Sequence, residues 1–284
     1  MRKSLPFKPY LLMGALLLGI GFSSCSKSSA KEPSGGGTDQ ANVVTGIAVD
    51  AQGRPLAGVK VRAENPTGDN IHIDGTTGAD GRYKLKLTSI GGWKIYAWKE
   101  VTYQDQVYHL RLGMKTDQDY DAFATEGKTL VRDFVWKLSG RIPDRSASFE
   151  NGWGYFGASL RLVNYNDVVP EMPAGAKLTV TLTPVNGAKY LDGSAATTPV
   201  VKTFTIQNGK PNYYMGDVPV TTYRITAQCE VNGVTKKVFI GASSASNLTE
   251  WIEFYFDPSG SSSGSYESGL QSPNDFPFYL GRQS

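Results

Sequence analysis

His72 and His109 are the only imidazoles in a chain of 284 residues, which leaves little for acid–base or zinc chemistry. The sequence has no Gly-x-Ser-x-Gly elbow, no His-Glu-x-x-His pair and no phosphate-cradling glycine loop ahead of a helix. In Val107-Tyr108-His109-Leu110-Arg111-Leu112 the histidine shares a face with Val107 and Arg111, which reads as a strand surface. Asp117-Gln118-Asp119-Tyr120-Asp121 alternates carboxylates, the hard oxygen ligands that calcium takes. An EF-hand register would need Gly at 122 and Glu at 128, where the chain has Ala122 and Lys128. Asp117, Asp119 and Asp121 are therefore weak metal candidates, expected as a solvated acidic loop. No cofactor and no catalytic residue is expected.

Aromatic side chains carry the stronger chemical signal. Flat rings flanked by polar groups can hold a pyranose ring or anchor a protein partner. Trp93, Tyr96 and Trp98 share one short run, Tyr103 and Tyr108 follow, and Trp153, Tyr155 and Phe156 cluster further on. Side chains alternate across a strand, so Trp93-Ile95-Ala97 and Lys94-Tyr96-Trp98 must face opposite ways. The first set is the more apolar and is expected inside, with Tyr96 and Trp98 outside or at an interface. Tyr96, Trp98, Trp153 and Tyr155 are the candidate ligand-binding residues, for a glycan or an envelope protein.

Two cysteines occur, Cys25 and Cys229. Arg2, Lys3 and Lys8 precede an apolar run, Leu11 to Phe22, and then Phe22-Ser23-Ser24-Cys25. A basic start, a short apolar stretch and small residues before a cut form a secretory signal. As a helix the run is roughly 18 Å long, too short for a hydrocarbon core of about 30 Å. The Cys directly after the small residues resembles a bacterial lipobox. That resemblance implies a cleaved leader over 1–24, acyl chains on Cys25, and contact with the membrane through the lipid. Ser26 in the second mature position favours the outer membrane, on its periplasmic or its cell-surface face. Cys229 then has no partner. In Tyr223-Arg224-Ile225-Thr226-Ala227-Gln228-Cys229 it falls on the apolar parity, as an inward core thiol.

The leader also holds three of the 29 basic residues, so 26 basic and 26 acidic side chains remain beyond it. A neutral body lacks the basic excess that nucleic-acid binding needs, and no nucleic acid is expected as a partner.

Short alternating runs between turn residues must position the rings. Residues 25–42 are rich in Ser, Gly, Lys and Pro and read as a flexible tether. Strands are predicted over 43–50, 58–64, 81–87, 92–98, 106–112 and 128–138. Gln52-Gly53-Arg54-Pro55, Asn65-Pro66-Thr67-Gly68, Ala79-Asp80-Gly81 and Gly91-Gly92 separate them as turns. Residues 140–154 break the pattern as a linker. A second series is predicted over 158–164, 177–184, 200–207, 213–217, 222–231, 235–240 and 249–256. Leu178-Val180-Leu182 alternates with Thr179-Thr181-Thr183, giving one apolar and one hydroxylated face. No window of helical length has an apolar period of 3.6. The expected fold is all-β, with two antiparallel β-sandwich modules in tandem over 43–139 and 155–257. A Ser/Gly-rich tail, 258–284, is expected to be disordered, and it ends in Phe276-Pro277-Phe278-Tyr279-Leu280, apolar enough to dock or to act as a short recognition segment.

Val44-Thr45-Gly46-Ile47-Ala48-Val49-Asp50-Ala51-Gln52-Gly53-Arg54-Pro55-Leu56-Ala57-Gly58-Val59-Lys60-Val61 resembles the opening of a carboxypeptidase regulatory-like domain. Thr76-Thr77-Gly78-Ala79-Asp80-Gly81-Arg82-Tyr83-Lys84-Leu85-Lys86-Leu87 resembles its continuation. The resemblance covers about 43–138 and implies a transthyretin-like seven-stranded sandwich, without carboxypeptidase activity. Asp217-Val218-Pro219-Val220-Thr221-Thr222-Tyr223-Arg224-Ile225 is similar to a late segment of such modules, with Thr221 where they have Gly. The whole arrangement resembles lipoproteins of Bacteroidota-type bacteria. It implies a non-catalytic binding or scaffolding component of the envelope. The alternatives are an accessory lipoprotein of a polysaccharide-handling enzyme system, an adhesin or fimbria-like structural component, and an enzyme of unknown type.

Overall fold

The structure, a computed structural model, describes residues 41–89, 91–150, 154–164, 171–242, 247–256 and 277–282. The leader, Cys25, Trp153 and most of the Ser/Gly-rich tail lie outside the described residues. Those described fall within one compact unit, Thr38–Ser284. They are all-β, with a single 3-10 turn at Asp117–Tyr120. No helix among them is long and apolar enough to cross a membrane.

The first half holds β1 (Val43–Val49), β2 (Lys60–Glu64), β3 (His72–Thr76), β4 (Arg82–Lys86), β5 (Lys94–Tyr103), β6 (Gln106–Arg111), β7 (Gly113–Met114), β8 (Thr129–Val131) and β9 (Phe134–Val135). One sheet runs β4-β1-β9-β7 with β8 beside β1, and the other runs β3-β2-β5-β6. Between them lies a core that includes Val44, Val61, Tyr83, Trp93, Ile95, Ala97 and Phe134. β1 pairs in parallel first with β8 and then with β9. The chain changes from one to the other at Arg132-Asp133, and Gly46 makes room for it. A Cβ on Gly46 would sit 1.9 Å from the Arg132 carbonyl oxygen. The Asp133 side chain accepts the Ile47 amide at 3.0 Å, satisfying a donor at the changeover.

The Thr76–Leu87 motif has a direct physical use. The Thr77 hydroxyl is buried, accepts the Val59 amide at 2.9 Å and donates to the Leu56 carbonyl at 2.6 Å. Asp80 accepts the Arg82 amide at 3.0 Å, and Gly81 turns the chain with φ +74°. Tyr83 and Leu85 then point inward, and the Tyr83 hydroxyl donates to the Arg132 carbonyl at 2.7 Å. β3 carries no strand pattern in the sequence, because His72-Ile73-Asp74-Gly75-Thr76 has only one apolar residue and pairs as an edge strand.

The second half holds β10 (Ala158–Val163), β11 (Lys177–Pro184), β12 (Val200–Thr205), β13 (Asn212–Val218), β14 (Tyr223–Val231), β15 (Val234–Gly241), β16 (Ile252–Phe254) and β17 (Pro277–Arg282). They form one sheet, β12-β11-β14-β15-β17-β10-β13, with β16 beside β14. Its two ends approach each other where Phe204 meets Tyr213, with ring centroids 5.6 Å apart. The sheet therefore folds over its own core. Leu178, Val180 and Leu182 point inward, as their alternation predicts, and Cys229 is a buried thiol there.

The end of the tail, expected to be disordered, is instead a strand in the middle of this sheet, because its apolar side chains fill a slot between two strands. β17 runs parallel to β10 and antiparallel to β15, with Phe278 and Leu280 fully buried. The second core also reaches into the first half, taking in Tyr108, Leu110 and Trp136.

Candidate functional site

The predicted parity of the fifth strand is present: Trp93, Ile95 and Ala97 enter the first core, and Tyr96 and Trp98 lie on the opposite face. That face is not open. Tyr96 is 5% and Trp98 8% exposed. Their rings lie 5.9 Å apart, tilted by 32°. The Arg62 guanidinium is 5.6 Å from the Trp98 ring, and Arg111 is 5.9 Å from the Tyr96 ring. Cations over aromatic faces are attracted by the ring quadrupole. Strand pairing puts them there, since Arg62 sits opposite Tyr96 and Arg111 opposite Trp98.

Each arginine is fixed in turn. Arg62 donates to both Asp74 oxygens at 2.7 Å. The forked pair raises the guanidinium's pKa and holds the Asp74 carboxyl below its usual range. Arg111 and Lys94 both reach Asp144, at 3.4 and 3.6 Å. The Tyr96 hydroxyl donates to Glu64 at 3.1 Å. Beside Trp98 an open groove of about 390 Å³ is lined by Lys60, Asp74, Gly75, Thr76, Trp98 and Glu100. These rings are thus largely occupied by the protein's own side chains.

Tyr155 is half-buried, packed on Phe149 at 4.7 Å between centroids and under Arg141 at 5.6 Å. Trp153 lies outside the described residues. The aspartate run is also committed internally. Asp119 accepts the Thr116 amide at 3.1 Å and its hydroxyl at 2.9 Å, and lies 3.7 Å from Arg132. Among the described residues no group of three or more His, Cys, Asp or Glu side chains, Asp117, Asp119 and Asp121 included, is placed to hold a metal ion.

An open aromatic platform lies instead on the second sheet. Trp251 is 47% exposed. It sits just before β16, where β15 hands the edge of β14 over to β16. Antiparallel register sets Thr179 opposite Gln228, Thr181 opposite Thr226, and Arg224 opposite Glu253, all on the face away from the core. The result is a groove of about 360 Å³ lined by Thr179, Thr181, Thr226, Ala227, Gln228, Lys237, Glu250 and Trp251. Arg224 stacks on the indole, 4.2 Å from its centroid, and pairs with Glu253 at 2.7 Å. Lys237 pairs with Glu250 at 2.9 Å. The sequence signal for Trp251 was its parity: it alternates with Ile252, Phe254 and Phe256, of which the last two are buried. The sequence alone shows the threonine face, without the ring that completes it.

No family model matches the chain, and no curated protein matches it. Solved structures overlap it weakly. The Bacillus anthracis TIE protein matches over 86% of this chain at 12% identity, with a TM-score of 0.34. The chain spans about a third of that protein's length, 34%, and 23% of a leucine-rich repeat protein from Bacteroides thetaiotaomicron. A putative adhesin from Bacteroides ovatus matches over 93% of this chain and 99% of its own, at 9% identity and a TM-score of 0.25. The shaft pilin SpaA of Lactobacillus rhamnosus GG matches over 86% of this chain and 99% of its own, at 12% identity and a TM-score of 0.23. Scores this low do not establish a common fold.

Proposed function

We propose that this chain is a lipid-anchored, non-catalytic binding protein of the cell envelope. Acyl chains on Cys25 hold it, and a carboxypeptidase regulatory-like sandwich precedes the sandwich that meets the ligand. The leader and its lipobox-like end support the anchor. The groove around Trp251 supports the binding role: an exposed indole on a regular sheet face, fixed by Arg224, is a rigid anchor for a ligand. Two measurements test the reading. Fatty-acid labelling of cells should mark the wild type and not Cys25→Ala; label on both overturns the anchor. Iodide should quench the fluorescence of the wild type, and Trp251→Ala should reduce the quenchable fraction. An unchanged fraction would show that the indole is not available to a ligand.

A scaffolding role is the second reading, favoured by the seam between the halves. The Tyr103 hydroxyl bonds the Thr222 amide and hydroxyl, and the Tyr108 hydroxyl donates to the Phe256 carbonyl. A stiff joint of that kind suits an adhesin-like structural component.

A further inference from the structure

We infer that the groove beside Trp251 takes a neutral glycan, with one pyranose ring lying on the indole; this rests on the reading of that groove as the ligand surface. Three features of the site select the class.

The first is charge. Lys237 in the lining pairs with Glu250 at 2.9 Å, and Arg224, stacked on the indole beside it, pairs with Glu253 at 2.7 Å. Each pair is locally neutral, so the site offers no net charge to draw a uronate, a phosphate or a cation. A ligand without charge disturbs neither. The second is the remaining lining. Thr179, Thr181, Thr226 and Gln228 present hydroxyls and an amide that both donate and accept, which matches sugar hydroxyls. Thr179 and Thr203 already hydrogen-bond each other at 3.0 Å, so this face supports hydroxyl-to-hydroxyl pairing.

The third is preorganisation. Thr249 bonds both ways with Ile240, at 2.7 and 2.9 Å, and its hydroxyl donates to the Trp251 carbonyl at 2.7 Å. With Arg224 over one side, the indole is held before any ligand arrives, and about half of its surface stays open. A sugar's C–H face can stack there while its hydroxyls reach the threonines. Ordering of a side chain on binding is thereby largely avoided. The groove volume of about 360 Å³ suits a short stretch of an oligosaccharide rather than a folded protein surface.

The test is the mobility of the full chain through native gels containing either neutral polysaccharides (xylan, mannan, mixed-linkage glucan) or acidic ones (polygalacturonate, alginate). At least one neutral polymer should retard the wild type. Trp251→Ala should weaken that retardation roughly tenfold or more, the effect of losing an aromatic anchor. Trp251→Phe should keep part of it, and Thr181→Val with Thr226→Val should weaken it without altering the melting temperature. Retardation by acidic polymers alone, lost in Trp251→Ala, overturns the neutral class and leaves the groove as the ligand surface. Retardation that Trp251→Ala does not change places the ligand elsewhere and overturns both. Free passage of the wild type through every gel overturns the glycan assignment, while the quenching measurement still judges the exposed anchor.

Discussion

The Tyr103 hydroxyl accepts the Thr222 backbone amide at 3.0 Å, joining the long fifth strand of the first half to the turn ahead of β14. Tyr103 and Tyr108 meet edge-on beside it, at 6.3 Å, and Tyr108 is fully buried in the second core. The seam is therefore both polar and apolar. Tyr103→Phe removes the hydrogen bonds and keeps the ring. It should lower stability by about 1 kcal/mol, read from urea unfolding of the full chain. A change within error would show that the seam depends on packing alone.

The β17 strand carries a larger effect. Phe278 and Leu280 are fully buried between β10 and β15, so truncating their side chains opens a cavity, and removing the strand leaves two edges unpaired. Phe278→Ala should cost about 3–5 kcal/mol, and Leu280→Ala about 2–5 kcal/mol. A chain ending at residue 256 should fail to give a cooperative melt of its second half. Calorimetry of that truncated chain would decide it, and an unchanged transition would show that the sheet closes without the strand.

Asp217 gives a pH dependence with an unusual sign. It sits at φ +59°, and its carboxylate accepts the Gly140 amide at 2.8 Å and the Gly157 amide at 3.2 Å. Burial pushes its pKa above the ordinary 3.8 despite those amides. In the window between the ordinary and the raised value the folded chain holds one more proton than the unfolded chain. The stability that Asp217 contributes is therefore present in acid and declines as pH rises through the window. Asp50 behaves oppositely. Burial raises it, but hydrogen bonds from Arg54 and Gln52 outweigh burial and lower its pKa. Its contribution is lost as pH falls. Urea midpoints of the wild type and Asp217→Asn, compared from about pH 4 to 7, should converge or cross as the wild type loses its proton. A difference independent of pH would show that Asp217 does not titrate in this range.

The three tryptophans on sheet faces should separate by function. Trp93 is buried in the first core, and Trp93→Ala should cost about 3–5 kcal/mol. Trp251 is open, and Trp251→Ala should stay within roughly 1 kcal/mol of the wild type. Trp98→Ala should fall between, because it removes a ring on which Arg62 rests. Melting temperatures of the three variants give the order. A large loss for Trp251→Ala would mean that its ring is structural.

Local chemistry determined much of this protein. Asp80-Gly81 sets a turn, Leu178-Val180-Leu182 sets a buried face, and Cys229 follows its strand's apolar parity inward. Each of these needs only the period of a strand or the φ of one residue, which a few neighbouring residues encode. The parity of Trp93 against Tyr96 and Trp98 was legible for the same reason. What covers Tyr96 and Trp98 was not, since Arg62 and Arg111 arrive from other strands by register. The place of β17 was also beyond reach, because a short segment such as Phe278-Tyr279-Leu280 can fill any open slot and only the whole sheet shows that β10 and β15 leave one. The Trp251 groove is the same kind of fact. Its threonines, its glutamine and its indole come from separate segments, and long-range strand pairing alone brings them onto one face.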